Sequence, residues 1–89
     1  MMEIAFSQSF KRAFKKKIKN NAYLEKLFWE KVEKFVSNPF NGELKTHKLS
    51  GNLKDLWSFR VDYDIRVIFF FEGNNRAVFI DIGSHDEVY

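Results

Sequence analysis

Cysteine is absent from this sequence of 89 residues. The chain therefore has no disulfide framework, no thiolate ligand for a metal ion and no cysteine nucleophile. Long apolar runs are missing too, since none approaches the roughly 20 residues of a membrane-spanning helix. The opening MMEIAFSQSFKR has polar and charged residues where a signal peptide would carry its apolar stretch. We therefore expect a cytoplasmic protein that relies on neither disulfides nor a zinc cluster and does not enter a membrane.

Aromatic residues and positive charge are what the sequence has in excess. Eleven phenylalanines contribute to an apolar fraction of 45%, and this predicts one globular domain over residues 1–89. The net charge is +3, yet residues 1–34 alone hold nine Lys/Arg against four Asp/Glu. Most of that excess lies in one run, formed by Lys11, Arg12, Lys15, Lys16, Lys17 and Lys19. The run is either the solvated face of an amphipathic helix or a patch for nucleic acid or an acidic partner.

The spacing of apolar residues predicts two helices after a short strand over residues 3–6. Ser7 fits a helix N-cap, and the apolar stripe behind it recurs every four residues, at Phe6, Phe10, Phe14 and Ile18. A second helix runs from about residue 22 to 37 and ends at Asn38-Pro39, because proline lacks an N–H and disfavours helix before it. Two helices joined this closely predict an antiparallel hairpin.

The second half of the chain has the alternating pattern of strands. A polar loop over residues 43–56 leads into predicted strands over 57–62, 65–71 and 77–82, with turns at Tyr63-Asp64 and Gly73–Asn75. The expected class is α+β with the order β-α-α-β-β-β. We expect an antiparallel sheet with the N-terminal two-helix hairpin packed on one face.

Only a few side chains are suited to chemistry. His47 lies in the predicted loop and His85 follows the last predicted strand; two histidines without a third ligand predict no metal site. Arg60 and Arg66 interrupt mostly apolar strands and face each other if the loop between the strands has three residues. They form either surface ion pairs with nearby aspartates or two guanidiniums that hold one phosphate. Tyr89 either covers the edge of the core or stacks on a base.

Several segments together resemble a known family. They are the segment His47–Gly51 (HKLSG), the strand pair WSFRVDYDIRVIF and the ending Gly83–Tyr89 (GSHDEVY), in the element order given above. This set resembles the RelE/ParE toxins of type II toxin–antitoxin systems over essentially the whole chain. It looks closest to the YafQ-like and YoeB-like branches, which have a RelE-like microbial RNase fold.

The resemblance implies a function. Members of those branches are ribosome-dependent mRNA endoribonucleases that inhibit translation by cutting mRNA in the ribosomal A site. They use no metal or small-molecule cofactor, because the 2′-OH of the RNA attacks the adjacent phosphate. A cognate antitoxin neutralises them. On this resemblance the basic run would dock on ribosomal RNA, through Lys11, Arg12, Lys15, Lys16 and Lys19.

The resemblance also implies site residues. His47 matches the loop histidine of the YafQ-like motif, and Asp64 matches its acidic turn residue. Arg66 matches the strand arginine of the YoeB-like branch, while His85 and Tyr89 match the C-terminal histidine and the aromatic residue four positions later. The implied roles are His85 as general acid, His47 or Asp64 as general base, and Tyr89 as a positioning aromatic. Arg66 would hold the scissile phosphate together with Arg60.

Two positions depart from the family pattern, and a third matches it only loosely. Arg60 stands where the YafQ-like branch has a second histidine, so a permanent cation replaces a proton shuttle. Asp81 stands where that branch has an arginine, and Glu43 lies near the place of a catalytic glutamate in the YoeB-like branch. Two other functions stay open: a ParE-like inhibitor of DNA gyrase, and a non-catalytic basic module that binds RNA or protein.

Overall fold

The computed structural model describes residues 1–51 and 55–89 of the chain. Residues 52–54, which belong to the predicted loop over 43–56, lie outside the described part. The elements follow one another as β1 (Glu3–Phe6), α1 (Gln8–Lys17), α2 (Ala22–Ser37), a 3-10 helix (Gly42–Leu44), β2 (His47–Lys48), β3 (Trp57–Arg60), β4 (Ile65–Glu72), β5 (Arg76–Ser84) and α3 (His85–Val88).

Both long helices begin where the sequence predicts, and α2 also ends there, whereas α1 ends at Lys17. The Ser7 side chain accepts a hydrogen bond from the backbone N–H of Phe10, and the Asn21 side chain accepts one from Leu24. Each bond satisfies a backbone donor that the first helical turn leaves without a partner. Helix α2 ends at Ser37, and Asn38 has extended backbone angles before Pro39, as expected for a residue that precedes proline.

The five strands form one sheet in the order β1-β5-β4-β3-β2. Every pair is antiparallel except β1 and β5, which run parallel. The sheet is therefore mixed, and the prediction of a purely antiparallel sheet was wrong at this edge. The alternation of side chains shows which face of a strand is buried, but it does not show the direction of the neighbouring strand. A tight hairpin would force antiparallel pairing, but β1 is followed by a helix.

A bulge in β5 decides which residues face the core. Phe69 pairs with Phe79, whereas the preceding Ile68 pairs with Asp81, so Ile80 is an extra residue in β5. One extra residue reverses the alternation of the strand. Phe79 before the bulge and Ile82 after it are therefore both fully buried, and Asp81 points to the opposite face.

Aromatic rings hold the two long helices on one face of the sheet. Phe35 of α2 packs on Phe59, Phe69 and Phe79, with ring centroids 5.0, 5.0 and 5.5 Å away. Phe10 of α1 packs on Phe79 at 5.6 Å. The predicted α+β class, with helices against one face, is confirmed.

Two short elements correct the predicted loop and tail. His47 lies in β2, where it pairs with Ser58 of β3, although a strand of two residues is too short to show alternation. The residues after β5 form helix α3, which a reciprocal capping box begins: Ser84 accepts from the Glu87 backbone N–H, and Glu87 accepts from that of Ser84. The predicted strand over 57–62 ends at Arg60, because the backbone turns there toward β4.

Candidate functional site

Two arginines face each other on the side of the sheet away from the helices. Phe59 points at α2, so its neighbour Arg60 points to the other face. Arg60 is paired directly with Arg66, as the sequence predicts for a three-residue loop. Like charges placed opposite each other destabilise a sheet. Among the described residues, no carboxylate lies within ion-pair distance of either guanidinium.

The turn between β3 and β4 holds both guanidiniums in place. One terminal nitrogen of Arg66 (Nη1) donates to the backbone carbonyls of Asp62, at 3.1 Å, and Tyr63, at 2.9 Å. The Arg60 guanidinium lies 5.4 Å from the centre of the Tyr63 ring, a cation–π distance. Arginine carries five donors, so Arg66 keeps its Nη2 and Nε donors for an anion. The alternative reading, surface ion pairs with Asp62 or Asp64, does not occur.

His47 is oriented by the backbone of its own loop. Its Nδ1 lies 3.0 Å from the carbonyl oxygen of Lys45. A carbonyl only accepts, so Nδ1 carries the proton and the neutral ring has its lone pair on Nε2. Lys45 has φ 51° and ψ 38°, a left-handed conformation that is uncommon for a residue with a side chain. That conformation turns its carbonyl toward the histidine.

His85 and Tyr89 lie together at the two ends of α3. The two rings meet edge to face, with centroids 4.3 Å apart, and the Tyr89 ring lies 6.5 Å from that of His47. The Tyr89 ring is therefore close to both histidine rings. Asp64 fixes the start of α3, because its carbonyl oxygen accepts the backbone N–H of His85 at 3.0 Å and its carboxylate oxygen lies 3.5 Å from the same nitrogen.

Ser58 belongs with His47, His85 and Tyr89 in one side-chain cluster, although its position in the sequence did not single it out. It is fully buried, and its hydroxyl is hydrogen-bonded to the phenol of Tyr89 and lies 3.5 Å from Nε2 of His47. The alternation of β3 correctly puts it on the face of Arg60 and His47. No pattern in the sequence indicates that α3 folds back over that face and brings Tyr89 onto the serine.

Within the described residues, the carboxylates of Glu43 and Asp81 form no hydrogen bond or ion pair with the proposed site residues. The Glu43 carboxylate is 2.9 Å from the Lys34 ammonium, and the hydrogen bond and charge of Lys34 hold the pKa of Glu43 below its ordinary value. The Asp81 carboxylate accepts the backbone N–H of Ile82 at 2.9 Å. It makes no ion pair with any of the cations that the structure describes.

The basic run divides between two sides of α1. All five predicted RNA-binding residues are exposed, but three of them, Lys11, Lys15 and Lys19, line a groove of about 370 Å³ between the two long helices. The floor of the groove is aromatic and includes Phe14 and Trp29, which is 48% exposed.

The other side of α1 adjoins the cluster. Lys17 Nζ lies 3.8 Å from a carboxylate oxygen of Glu87 in α3. The pKa of Glu87 is lowered first by the hydrogen bond from the Ser84 backbone and further by the charges of Lys17 and Lys16. This part of the basic surface is therefore continuous with the helix that carries His85.

The described part of the chain holds neither a metal-binding cluster nor a membrane-spanning helix. Within 1–51 and 55–89, no group of three or more His, Asp or Glu side chains is placed to hold a metal ion. No helix in these ranges is both long enough and apolar enough to cross a membrane.

Comparison with known proteins decides the family. A family model described as a bacterial toxin of type II toxin–antitoxin system, YafQ, matches residues 2–89. The chain belongs to the YafQ toxin family. It is thus a toxin of the type II toxin–antitoxin class, and the predicted resemblance is confirmed. No curated protein sequence matches the chain.

Solved structures have the same fold as this YafQ family member. A metal-bound toxin from Helicobacter pylori is 27% identical, with both chains covered in full and a TM-score of 0.80. YafQ from E. coli strain BL21(DE3) is 18% identical over 100% of this chain and 99% of that one, with a TM-score of 0.73. In the YoeB–YefM complex from Staphylococcus aureus the similar chain is 23% identical over 96% and 98%, with a TM-score of 0.75. The last two show the fold alone.

Proposed function

We propose that this toxin is an endoribonuclease that cuts mRNA on the ribosome and so inhibits translation in the cytoplasm. The observation that carries the proposal is the cross-strand pair of Arg60 and Arg66, which is held by the turn and has no carboxylate partner among the described residues. Without a bound anion, two like charges placed opposite each other destabilise the sheet. A phosphate between the two guanidiniums would turn the repulsion into bidentate charge-assisted hydrogen bonds.

The proposed reaction uses the 2′-hydroxyl of the RNA as its nucleophile. A base removes the 2′-OH proton, O2′ bonds to the adjacent phosphorus, and the P–O5′ bond breaks while an acid protonates the leaving O5′. The products are a 2′,3′-cyclic phosphate and a new 5′-hydroxyl end. Negative charge that develops on the phosphoryl oxygens is stabilised by Arg60 and Arg66.

His47 and His85 are proposed as the base and the acid. The contact of His47 Nδ1 with the Lys45 carbonyl supports the base role, because it leaves the lone pair of the neutral ring on Nε2. Asp64 was the other candidate base, but its carbonyl and carboxylate oxygens both face the backbone N–H of His85. We therefore propose that Asp64 positions His85 and that Tyr89 orients a base or the phosphate.

The exposed cations of α1 are proposed to bring the toxin to the ribosome. Lys11, Arg12, Lys15, Lys16 and Lys19 are all exposed. Contacts between such side chains and the phosphates of ribosomal RNA release counterions, so binding should weaken steeply as salt is added. Arg12→Gln with Lys16→Gln should reduce the slope of log affinity against log salt by about 1 to 2 units.

A cognate antitoxin is the second proposed partner, and the groove between α1 and α2 is its proposed docking surface. The aromatic floor fits apolar side chains of a peptide. Three lysines against one glutamate, Glu25, line the groove, and this excess of positive charge favours flanking carboxylates. An acidic amphipathic segment of the antitoxin satisfies both. Because the same lysines are proposed to contact RNA, bound antitoxin should exclude the ribosome.

Growth of cells that express the toxin tests the enzymatic proposal. His85→Ala and Arg66→Ala are expected to keep the circular dichroism of the parent and to abolish growth arrest. Arg76→Ala is the matched control, because Arg76 is paired with Glu72 at 3.3 Å in the distant hairpin and its loss changes the net charge equally. The assignment is wrong if both site variants arrest growth as strongly as the parent.

A further inference from the structure

Three polar side chains form one hydrogen-bonded chain across β2, β3 and α3. The Ser58 hydroxyl is bonded to the phenol of Tyr89 and lies 3.5 Å from Nε2 of His47. We infer that Ser58 is a positioning residue, which holds the Tyr89 ring against His85 and fixes the orientation of the His47 ring. The serine touches no proposed substrate group and acts only through its two neighbours.

The direction of the chain follows from the Lys45 carbonyl. That oxygen can only accept, so His47 donates from Nδ1 and its Nε2 accepts. In the RNA-free protein the Ser58 hydroxyl then donates its one proton to Nε2 across a long contact of 3.5 Å, and its oxygen accepts the proton of the Tyr89 phenol. In this arrangement the direction of every hydrogen bond is defined, and the neutral imidazole of His47 carries its proton on Nδ1. For His47 to act as a base, the 2′-hydroxyl of the RNA must displace this long contact and take the serine's place at Nε2.

Because Ser58 is buried, its hydroxyl group depends on these two neighbours for its hydrogen bonds. Ser58 has no exposed surface, whereas 41% of Tyr89 is exposed. Buried hydroxyl groups are nearly always hydrogen-bonded, and here the neighbours that supply the bonds are His47 and Tyr89. Ser58 is itself fixed by β3, between its partners His47 on β2 and Ile68 on β4.

Ser58 affects the position of His85 through the Tyr89 ring. Tyr89 packs edge to face on His85 at 4.3 Å, and α3 is a single turn of four residues, too short to hold its own conformation. The phenol–serine bond ties the far end of this helix to the sheet. The effect on catalysis rests on the proposed function, but the hydrogen-bonded chain does not.

A double-mutant cycle on Ser58→Ala and Tyr89→Phe tests the inference. The first readout is the NMR chemical shift of the His85 ring protons, which the adjacent Tyr89 ring displaces. We expect each single variant to lose at least half of that displacement and the double variant to lose no more than either. A serine that only fills space would add its effect to that of Tyr89→Phe.

The control and the contrary results are defined by the same spectra. Ser9→Ala removes a hydroxyl that donates to the Ile80 carbonyl at 2.6 Å on another part of the sheet, and it should leave the His85 shift unchanged. The ¹⁵N shifts of neutral His47 should show the proton on Nδ1. The inference is overturned if Ser58→Ala leaves the His85 shift intact, if the two losses add, or if His47 carries its proton on Nε2.

Cleavage of mRNA gives the second readout. Each single variant should lower kcat about tenfold with little change in KM, and the double variant should also lower it about tenfold instead of a hundredfold. Independent, multiplied losses would contradict the inference. If the parent protein cuts no RNA at all, the proposed function fails while the NMR cycle still decides the role of Ser58. Tyr89→Phe keeps the NMR test valid even if Ser58→Ala does not fold.

Discussion

Arg66→Ala separates catalysis from stability more sharply than any other single change in the site. In the folded protein Arg66 donates two hydrogen bonds to turn carbonyls and faces Arg60 across the strands. Water can replace the donors at this partly exposed turn, so their loss should cost about 1 kcal/mol. Removing the opposing charge should return about 0.2–1 kcal/mol. The free energy of unfolding should therefore change by about 1 kcal/mol at most.

The effect on activity should be far larger. Loss of one preorganised donor to developing charge typically lowers kcat about 100- to 1,000-fold. Arg66→Lys keeps the charge but not the planar fork, so it should recover only part of that loss. Urea denaturation followed by tryptophan fluorescence gives the stability, and cleavage of mRNA on translating ribosomes gives the rate.

Arg76→Ala again supplies the control, since it removes one cation from the other end of the same hairpin. Its cleavage rate should stay within about twofold of the parent, and its free energy of unfolding within about 0.5 kcal/mol. The reasoning is refuted if Arg66→Ala loses several kcal/mol of stability in step with its activity, because Arg66 would then be a structural residue. It is also refuted if Arg76→Ala slows cleavage as much.

Three further predictions concern the scaffold. Phe35→Ala should lower the free energy of unfolding by about 3–5 kcal/mol in urea titrations, because Phe35 packs on three rings of the core. Phe40 is 56% exposed, so Phe40→Ala should lower the free energy of unfolding by less than about 1.5 kcal/mol. Hydrogen bonding lowers the folded pKa of Glu87, so its stabilisation of α3 is present above the unfolded pKa and lost as pH falls through the lowered folded pKa. The Ser84 amide resonance should shift over that acidic range in the parent but not in Glu87→Gln. Lys45→Val should destabilise the fold by about 1–3 kcal/mol, since φ is 51°, and unchanged thermal unfolding would contradict that.

The sequence predicts the parts of this fold that local chemistry controls. Ser7 before α1 and Pro39 after α2 are predicted correctly, because a cap and a helix breaker act within a few residues. The register of Arg60 against Arg66 also follows locally, because the backbone of Val61 bonds to that of Ile65 and leaves a loop of three residues. The aromatic stripe predicts which face of each long helix is buried.

Features that depend on distant parts of the chain could not be predicted in this way. The parallel partner of β1 is 73 residues away at Glu3↔Arg76, and no local pattern specifies strand direction. The extra residue Ile80 reverses the face of Asp81, although nothing in the strand sequence marks a bulge. Ser58 looks like an exposed serine until α3 brings Tyr89 over it.

Mapping of mRNA 5′ ends after incubation with translating ribosomes tests the central claim most directly. We expect new 5′-hydroxyl ends in phase with codons for the parent and for Arg76→Ala, and none for Arg66→Ala or His85→Ala. Inhibition of DNA supercoiling without such ends would point to a gyrase inhibitor, and neither effect would point to a binding module. Codon-phased ends that persist in both site variants would contradict the assignment of this site.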